Sequence, residues 1–160
     1  MGKVLRYFTN GYAGAVSRSI DNIIVSMKNA GSDAIPFGTP VFLASGENSC
    51  RPFSQSTSTT ANFLGFAVRA ADKTPDTYGS SEAAFAADDP VDVLVRGSMV
   101  LQFANSVSPG SSVYIRIADG VLVTDAGASG TTLQLPGVTV RTVSDEGNRA
   151  EVVLTKRNVM

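Results

Sequence analysis

The stretch VDVLVRGSMVLQF (91–103) carries the clearest strand pattern of this chain. In its first half Val91, Val93 and Val95 alternate with other residues, so they share one face of a predicted strand. Gly97 interrupts the alternation, and a glycine inside a strand pattern indicates a bulge or a bend. We therefore predict one long strand, kinked at Gly97. Beyond the kink the apolar set is Met99, Leu101 and Phe103.

A second stretch, SVYIRIADGVLVT (112–124), predicts a hairpin. Asp119-Gly120 is typical of a two-residue type I′ turn, which would place Ile117 opposite Leu122. The outward face is apolar for a surface that meets only water, so contact with another chain and an ordinary apolar patch both remain open. The predicted inner face is Val113, Ile115, Ile117 and Leu122, and the outer face is Tyr114, Arg116, Val121 and Val123.

Four further segments predict strands by their alternation or their Phe and Val content: 36–44, 63–70, 137–144 and 149–156. Pro36 and Pro40 cannot donate to a ladder, so we expect the first of these strands at a sheet edge. In the last segment Ala150, Val152 and Leu154 are predicted to point inward, and Val138, Val140 and Thr142 to line one face of its partner. Long connections are predicted at 45–62, 72–90 and 124–137.

The first 35 residues have a different pattern. Helical spacing, which allows a short amphipathic helix, is found for Ile20, Ile23, Ile24 and Met27. Nearby glycines and the β-branched pair Ile24-Val25 favour instead an extended arm with a short strand near 23–27. We adopt the arm and divide the chain into an N-terminal arm, 1–35, and a β-domain, 36–160.

Composition and motifs give no sign of catalysis. Lys and Arg total 13 against 14 Asp and Glu, so no nucleic-acid partner is predicted, and no apolar run is long enough to predict a membrane contact. There is no histidine, and Cys50 is the single cysteine, which leaves it without a histidine to activate it. Asp88, Asp89 and Asp92 cluster without the spacing of a calcium loop. We predict no catalytic residue, no metal site and no cofactor.

Four features taken together resemble the tailed-bacteriophage structural cement proteins, also called capsid decoration proteins. The likeness covers most of residues 11–156. Its features are an N-terminal segment with Gly11 and Gly14, the entry Ile35-Pro36-Phe37-Gly38, the Phe-x-Gly-Phe-Ala strand at 63–67, and the Pro109-Gly110 turn that feeds Val113-Tyr114.

The resemblance implies an all-β fold, either a jelly-roll-like sandwich or a small β-barrel, with an extended N-terminal arm and long loops. It also implies a non-enzymatic virion protein that is made in the host cytoplasm and binds the outer capsid surface. Such proteins cement the expanded icosahedral head as dimers or trimers, between capsomers of the major capsid protein. A carbohydrate- or receptor-binding β-module of a phage head fibre or tail is the alternative.

The family motif does not fix the contact residues, so we infer them from their position in the arm, the first loop and the outer hairpin face. Whether the aromatic ones pack back on their own domain stays open. The candidates for contact with the capsid or a second copy are Tyr7, Phe8, Tyr12, Arg18, Arg51, Phe53, Tyr114 and Arg116.

Overall fold

The computed structural model describes residues 10–71, 73 and 83–155, and this part of the chain is all-β. Its one helical turn is the 3₁₀ turn Thr60–Asn62, so the described residues contain no helix long enough to cross a bilayer. The strands are β1 Val16–Asn29, β2 Ile35–Pro36, β3 Pro40–Leu43, β4 Ser49–Pro52, β5 Phe63–Ala67, β6 Ala84–Phe85, β7 Pro90–Gln102, β8 Ser112–Arg116, β9 Leu122–Val123, β10 Thr132–Val140 and β11 Arg149–Leu154.

β7 is the strand that both halves of the fold share, which confirms the predicted long, kinked strand at 91–103. Along one edge it pairs antiparallel with β1, from Lys28↔Pro90 to Val16↔Met99. Its other edge pairs first with β5 and, from Gly97 onward, with β11. One nine-stranded sheet therefore divides into two halves at this strand.

The first half is a closed ring of five strands in the order β1-β4-β3-β5-β7, completed by the pairing of β7 with β1. A short parallel contact, Lys28↔Ser49, joins β1 to β4. The ring encloses apolar side chains from all five strands, and the two-stranded β2–β6 ladder contributes to the same core. This ring core contains Met27, Ile35, Phe37, Val41, Cys50, Leu64, Ala67, Ala83, Phe85, Val91, Val93 and Val95.

The second half continues from β7 through β11, β10, β8 and β9. Its core packs against the outer side of the ring, where Phe42, Phe63 and Phe66 meet edge to face with centroids 5.5 to 5.8 Å apart. The other large members of this second core are Leu94, Met99, Leu101, Phe103, Ile115, Leu122, Leu135 and Leu154.

A bulge at Gly97 decides which core each half of β7 serves. Val95 and Met99 are four residues apart and would share a face in a regular strand. Instead Val95 lies in the ring core and Met99 in the second core. Gly97 has φ +127°, a conformation that L side chains rarely adopt, and it shifts the face by one residue.

The hairpin register differs from the prediction by two positions. Tyr114 pairs with Val123 and Ile115 with Leu122, and a wider loop is closed by Gly120 N donating to Arg116 O at 2.8 Å. The predicted two-residue turn is wrong because Asp119 binds the Arg116 guanidinium and favours the longer loop. A two-residue shift keeps side chains on their faces, so Val113, Ile115 and Leu122 are buried as predicted. Val123, predicted to point outward, is buried, and Ile117 is only half-buried.

The predicted edge position of the first strand is also wrong, because β3 lies between β4 and β5. Pro40 is accommodated since it is the first residue of β3, where a missing N–H donor is tolerated. The predicted loop 45–62 contains β4 and the 3₁₀ turn, and β10 begins inside the predicted loop 124–137. Most of 72–90 lies outside the described residues. The closing pair is confirmed, with Ala150, Val152, Leu154, Val138 and Val140 all buried.

In the N-terminal segment the strand is confirmed over the helix, and it is longer than predicted. The residues before β1 also bind the sheet, since Gly14 N donates to Val100 O at 2.9 Å and Gly14 O accepts from Arg69 N at 2.8 Å. The division into an arm, 1–35, and a β-domain, 36–160, stays a prediction.

Candidate interaction surface at the β1 bulge

The most unusual feature of the described surface is a group of exposed isoleucines in β1. Ile20 is fully exposed, and Ile23 and Ile24 are 36% and 44% exposed. Single exposed apolar residues are common on soluble proteins, whereas neighbouring ones indicate an interaction site. Since three isoleucines lie within five residues of one strand, they form the apolar part of a candidate interaction surface.

The backbone of β7 explains why Ile20 points into solvent. Arg18 pairs with Ser98 and Ile23 with Arg96, so residues 19–22 stand opposite Gly97 alone and bulge outward. Asn22 fastens the bulge, because its Oδ1 accepts from Ser98 N at 3.3 Å and fills the space beside Gly97. Together the glycine and the asparagine hold the bulge that presents Ile20.

Three arginines surround this bulge. A shallow groove of about 240 Å³ runs past the bulge, and Arg18, Arg96 and Arg141 all line it. Arg18 Nε donates to Glu151 Oε1 at 2.7 Å, and Arg96 Nη2 donates to Asp21 Oδ2 at 2.8 Å. The guanidinium of Arg141 makes no ion pair within the described part of the chain, although its charge acts on Glu151 at longer range. Three arginines and two carboxylates leave these described residues with one net positive charge.

Glu151 is the buried acidic group of this surface, since its side chain is only 9% exposed. Burial alone would raise the pKa of Glu151. Hydrogen bonds from Arg18 and Ser17, and the charges of Arg18 and Arg141, outweigh burial and lower that pKa below its ordinary value. The carboxylate therefore stays ionised at neutral pH and fixes Arg18 along one side of the groove.

The backbone edge of β1 beside the isoleucines is open. Lys28 N donates away from β7, to Asn48 O, and the continuous register from Ile24 to Lys28 turns the N–H groups of Ile24 and Ser26 the same way. Among the described residues β4 covers only the end of this edge, at Lys28 and Asn29. An open strand edge is a template on which another chain can add a strand.

The predicted contact residues fall into separate places. Tyr7 and Phe8 lie outside the described residues. Tyr12 is 57% exposed, and the Arg69 guanidinium lies 5.1 Å from its ring centroid. Arg18 is the one predicted residue that the structure places at the bulge surface.

The other four predicted residues belong to the side of the fold that carries the β8–β9 hairpin. Phe53 packs on the Phe42 ring at 5.9 Å and lies beneath the hairpin loop, where a Cβ on Gly120 would meet it at 3.2 Å. Half-buried Tyr114 is in β8, Arg116 binds Asp119, and Arg51 donates to Thr57 O at 3.1 Å. These residues are not brought together with Arg18.

Sequence reasoning missed Ile20, Ile23, Ile24, Arg96 and Arg141 as surface residues. The isoleucines carried a partial signal, because three apolar residues at helical spacing cannot all lie on the buried face of a regular strand. The arginines carried no such signal, because they come from separate strands and are united by the pairing order alone.

Each of the three clustered aspartates has a partner within the domain. Asp88 pairs with Lys28, Asp89 with Lys73, and Asp92 accepts from Ser26 Oγ at 2.5 Å. No three potential metal ligands come together within residues 10–71, 73 and 83–155. Burial raises the pKa of the Cys50 thiol to about 11, which keeps it protonated and unreactive. The exposed isoleucines and the arginines beside them are suited to binding a partner.

Comparison with known proteins agrees with that conclusion. The family described as structural cement proteins (E217 gp24/Pam3 gp6) matches residues 2–155, nearly the whole chain. The chain belongs to this phage cement family. Membership gives it a structural role in a phage virion, and confirms the resemblance first seen in the glycine and proline motifs.

A solved structure supports the fold of this cement family member. A chain from the capsid of Myoviridae phage XM1 superposes with a TM-score of 0.75 at 17% sequence identity. The match covers 97% of this chain and 96% of that one, so the two share an all-β fold over their length. No curated protein sequence matches this cement protein.

Proposed function

We propose that this protein cements the expanded icosahedral head by binding its outer surface, where it bridges capsomers of the major capsid protein. The observation that carries the proposal is the exposed isoleucine group on a rigid scaffold of the cement family. In this proposal the protein is made in the host cytoplasm and joins the head from outside.

A protein that cements a shell by contact needs a sufficient buried interface area and many copies, and it needs no chemical reaction. A standard protein interface buries roughly 1,600 Å², and repetition over a symmetric shell adds avidity without new contacts. The ring core and the second core meet at β7, so the body that carries the contact surface is stiff. A stiff body loses little conformational entropy on docking, which favours tight binding.

We also propose that the protein acts as a dimer or trimer, and that the eight contact candidates divide by availability. Tyr12 and Arg18 expose much of their side chains and suit direct contact. Arg51, Phe53 and Arg116 are engaged within the domain, and Tyr114 is half-buried in β8. These four suit a supporting role for the hairpin surface. Tyr7 and Phe8 are tested by deletion of residues 1–9, which leaves Asn10 and its three hydrogen bonds in place.

The test uses expanded heads that lack the protein. Purified wild-type protein is expected to co-sediment with them in a saturable way and to raise the temperature at which they release DNA. Unexpanded proheads serve as the control. Saturable binding to heads with no gain in stability would contradict cementing, and failure to bind heads together with binding on a glycan array would favour the fibre or tail module.

A further inference from the structure

We propose that the β1 bulge surface docks an acidic, aliphatic segment of the major capsid protein, one that carries a carboxylate next to an apolar side chain. The bulge surface is the isoleucine group Ile20, Ile23 and Ile24 with the groove arginines Arg18, Arg96 and Arg141. This inference rests on the proposed function and names the chemistry of its partner.

The apolar part of the surface favours an aliphatic contact. Ile20 leaves its whole side chain in water, so burying it against an apolar side chain of a partner is favourable in proportion to the apolar area covered. Arginines around an apolar centre match the composition of energetically important interface positions. The centre of the surface therefore takes an apolar side chain and its rim takes a polar one.

The charges define the polar group. Arg18 and Arg96 already form ion pairs with Glu151 and Asp21, whereas Arg141 forms none within the described part of the chain and acts on Glu151 only at longer range. Arg141 is exposed, so its guanidinium is available for a two-pronged contact with an incoming carboxylate. Such a contact would neutralise the one net positive charge of the described groove residues.

The same charge disfavours a second copy of this chain on the surface. A two-fold contact sets a surface against itself, so each copy would bring one unbalanced positive charge to the interface. Two Arg141 side chains would then share an interface with no added carboxylate. A partner that supplies its own carboxylate removes this penalty, and like charges across an interface act against wrong partners.

The open edge of β1 takes no part in this contact. The N–H groups of Ile24 and Ser26 point away from β7, whereas Arg141 lies on the other side of β7, next to β11. The partner segment therefore lies in the groove between the β1 bulge and Arg141, with its apolar side chain on Ile20 and its carboxylate on Arg141.

The experiment measures binding of two variants, Ile20→Asp and Arg141→Glu, to expanded heads that lack the protein. Each variant is expected to lose at least tenfold in affinity, and Arg141→Glu is expected to weaken the salt dependence of binding. Matched controls are Val143→Asp, an exposed apolar residue outside the groove, and Lys28→Glu, an exposed cation at the other end of β1. Both controls are expected to bind within twofold of wild type.

Four outcomes would overturn the inference. Wild-type binding with both variants within twofold of it would reject this surface while leaving the proposed function intact. Equal losses in variants and controls would show a general charge effect. If Ile20→Asp turns an oligomer into a monomer by sedimentation, the occupant is a second copy. Failure of the wild-type protein to bind heads would reject the proposed function itself, and with it this docking partner.

Discussion

The side chain of Arg18 in β1 reaches across β7 to Glu151 in β11, where Nε and Oε1 lie 2.7 Å apart. Ser17 Oγ donates to the same carboxylate oxygen at 3.1 Å. This contact ties the ring and the second half of the sheet together over the strand that they share. It also connects the rim of the bulge surface to a buried acid, so the stability of the fold and the position of Arg18 depend on one carboxylate.

Replacing that carboxylate changes how stability depends on pH. The pKa of Glu151 is lowered in the folded chain from its ordinary 4.5, so its stabilisation is complete above 4.5 and disappears as the pH falls through the folded value. We expect Glu151→Gln to lose about 1–3 kcal/mol at pH 7, since a buried charged hydrogen bond is weakened. Its free energy of unfolding should then decline less steeply than wild type below pH 4.5, as measured by urea titrations.

The control is Glu146→Gln, which makes the same charge change on an exposed turn. It should follow the wild-type curve. Asp145, whose pKa is also lowered because backbone N–H groups outweigh its burial, remains in both variants and keeps a residual acid dependence. An acid slope in Glu151→Gln that equals wild type would contradict the assigned role of the carboxylate.

Substitution at Gly97 tests the bulge. A Cβ on Gly97 would lie 2.8 Å from Asn22 Cγ and 3.1 Å from Asn22 Cα, in a conformation that already disfavours a side chain. We expect Gly97→Ala to lower the free energy of unfolding by about 2–4 kcal/mol, because strain and overlap add. Thermal and chemical denaturation provide the measurement.

Gly110→Ala is the control that separates backbone strain from steric overlap. Gly110 also has a positive φ, but no atom lies within 4 Å of an added Cβ. It should cost only about 1–2 kcal/mol. Combining Gly97→Ala with Asn22→Gly should recover part of the loss. Equal costs at the two glycines would show that the asparagine contact is unimportant.

Cys50 should be inert in the folded protein. Burial raises its pKa to about 11, so very little thiolate is present at pH 8, and the sulfur is enclosed in the ring core. Ellman's reagent should label less than one tenth of the native protein in an hour and one thiol per chain in denaturant. Rapid labelling of the native chain would mean that the ring opens.

Phe53 should contribute to stability as well as to any contact. It packs on Phe42 and on the second core, yet it is only half-buried. We expect Phe53→Ala to cost about 1–2 kcal/mol, compared with about 3–5 kcal/mol for the fully buried Phe66→Ala. If melting curves show no loss of stability for Phe53→Ala, the packing of Phe53 on Phe42 does not stabilise the domain.

Much of the strand content could be predicted because alternation reports burial directly. The faces of the 149–154 and 112–116 segments were correct, since side-chain direction repeats every two residues whatever the strand pairs with. The hairpin register was wrong because Asp119 binds Arg116, a contact that depends on side-chain geometry. The predicted faces of residues 112–116 were still correct, because the register error was two residues and an even shift keeps each side chain on its face.

The candidate surface was harder to predict from the sequence. Ile20, Ile23 and Ile24 are close in sequence, yet their exposure comes from the bulge opposite Gly97. Arg96 and Arg141 join them through strand order, which no local pattern encodes. Alternation alone would also have placed Val95 and Met99 on one face.

The motifs show the same division. The sequence by itself determined an all-β chain of the cement family, through alternation and through the glycines at 14 and 38. The tertiary structure decided that these glycines touch, for a Cβ on Gly14 would lie 2.8 Å from Gly38 N. Local patterns record the backbone conformation and burial of single residues, whereas contacts between distant segments follow from the order in which the strands pair around β7.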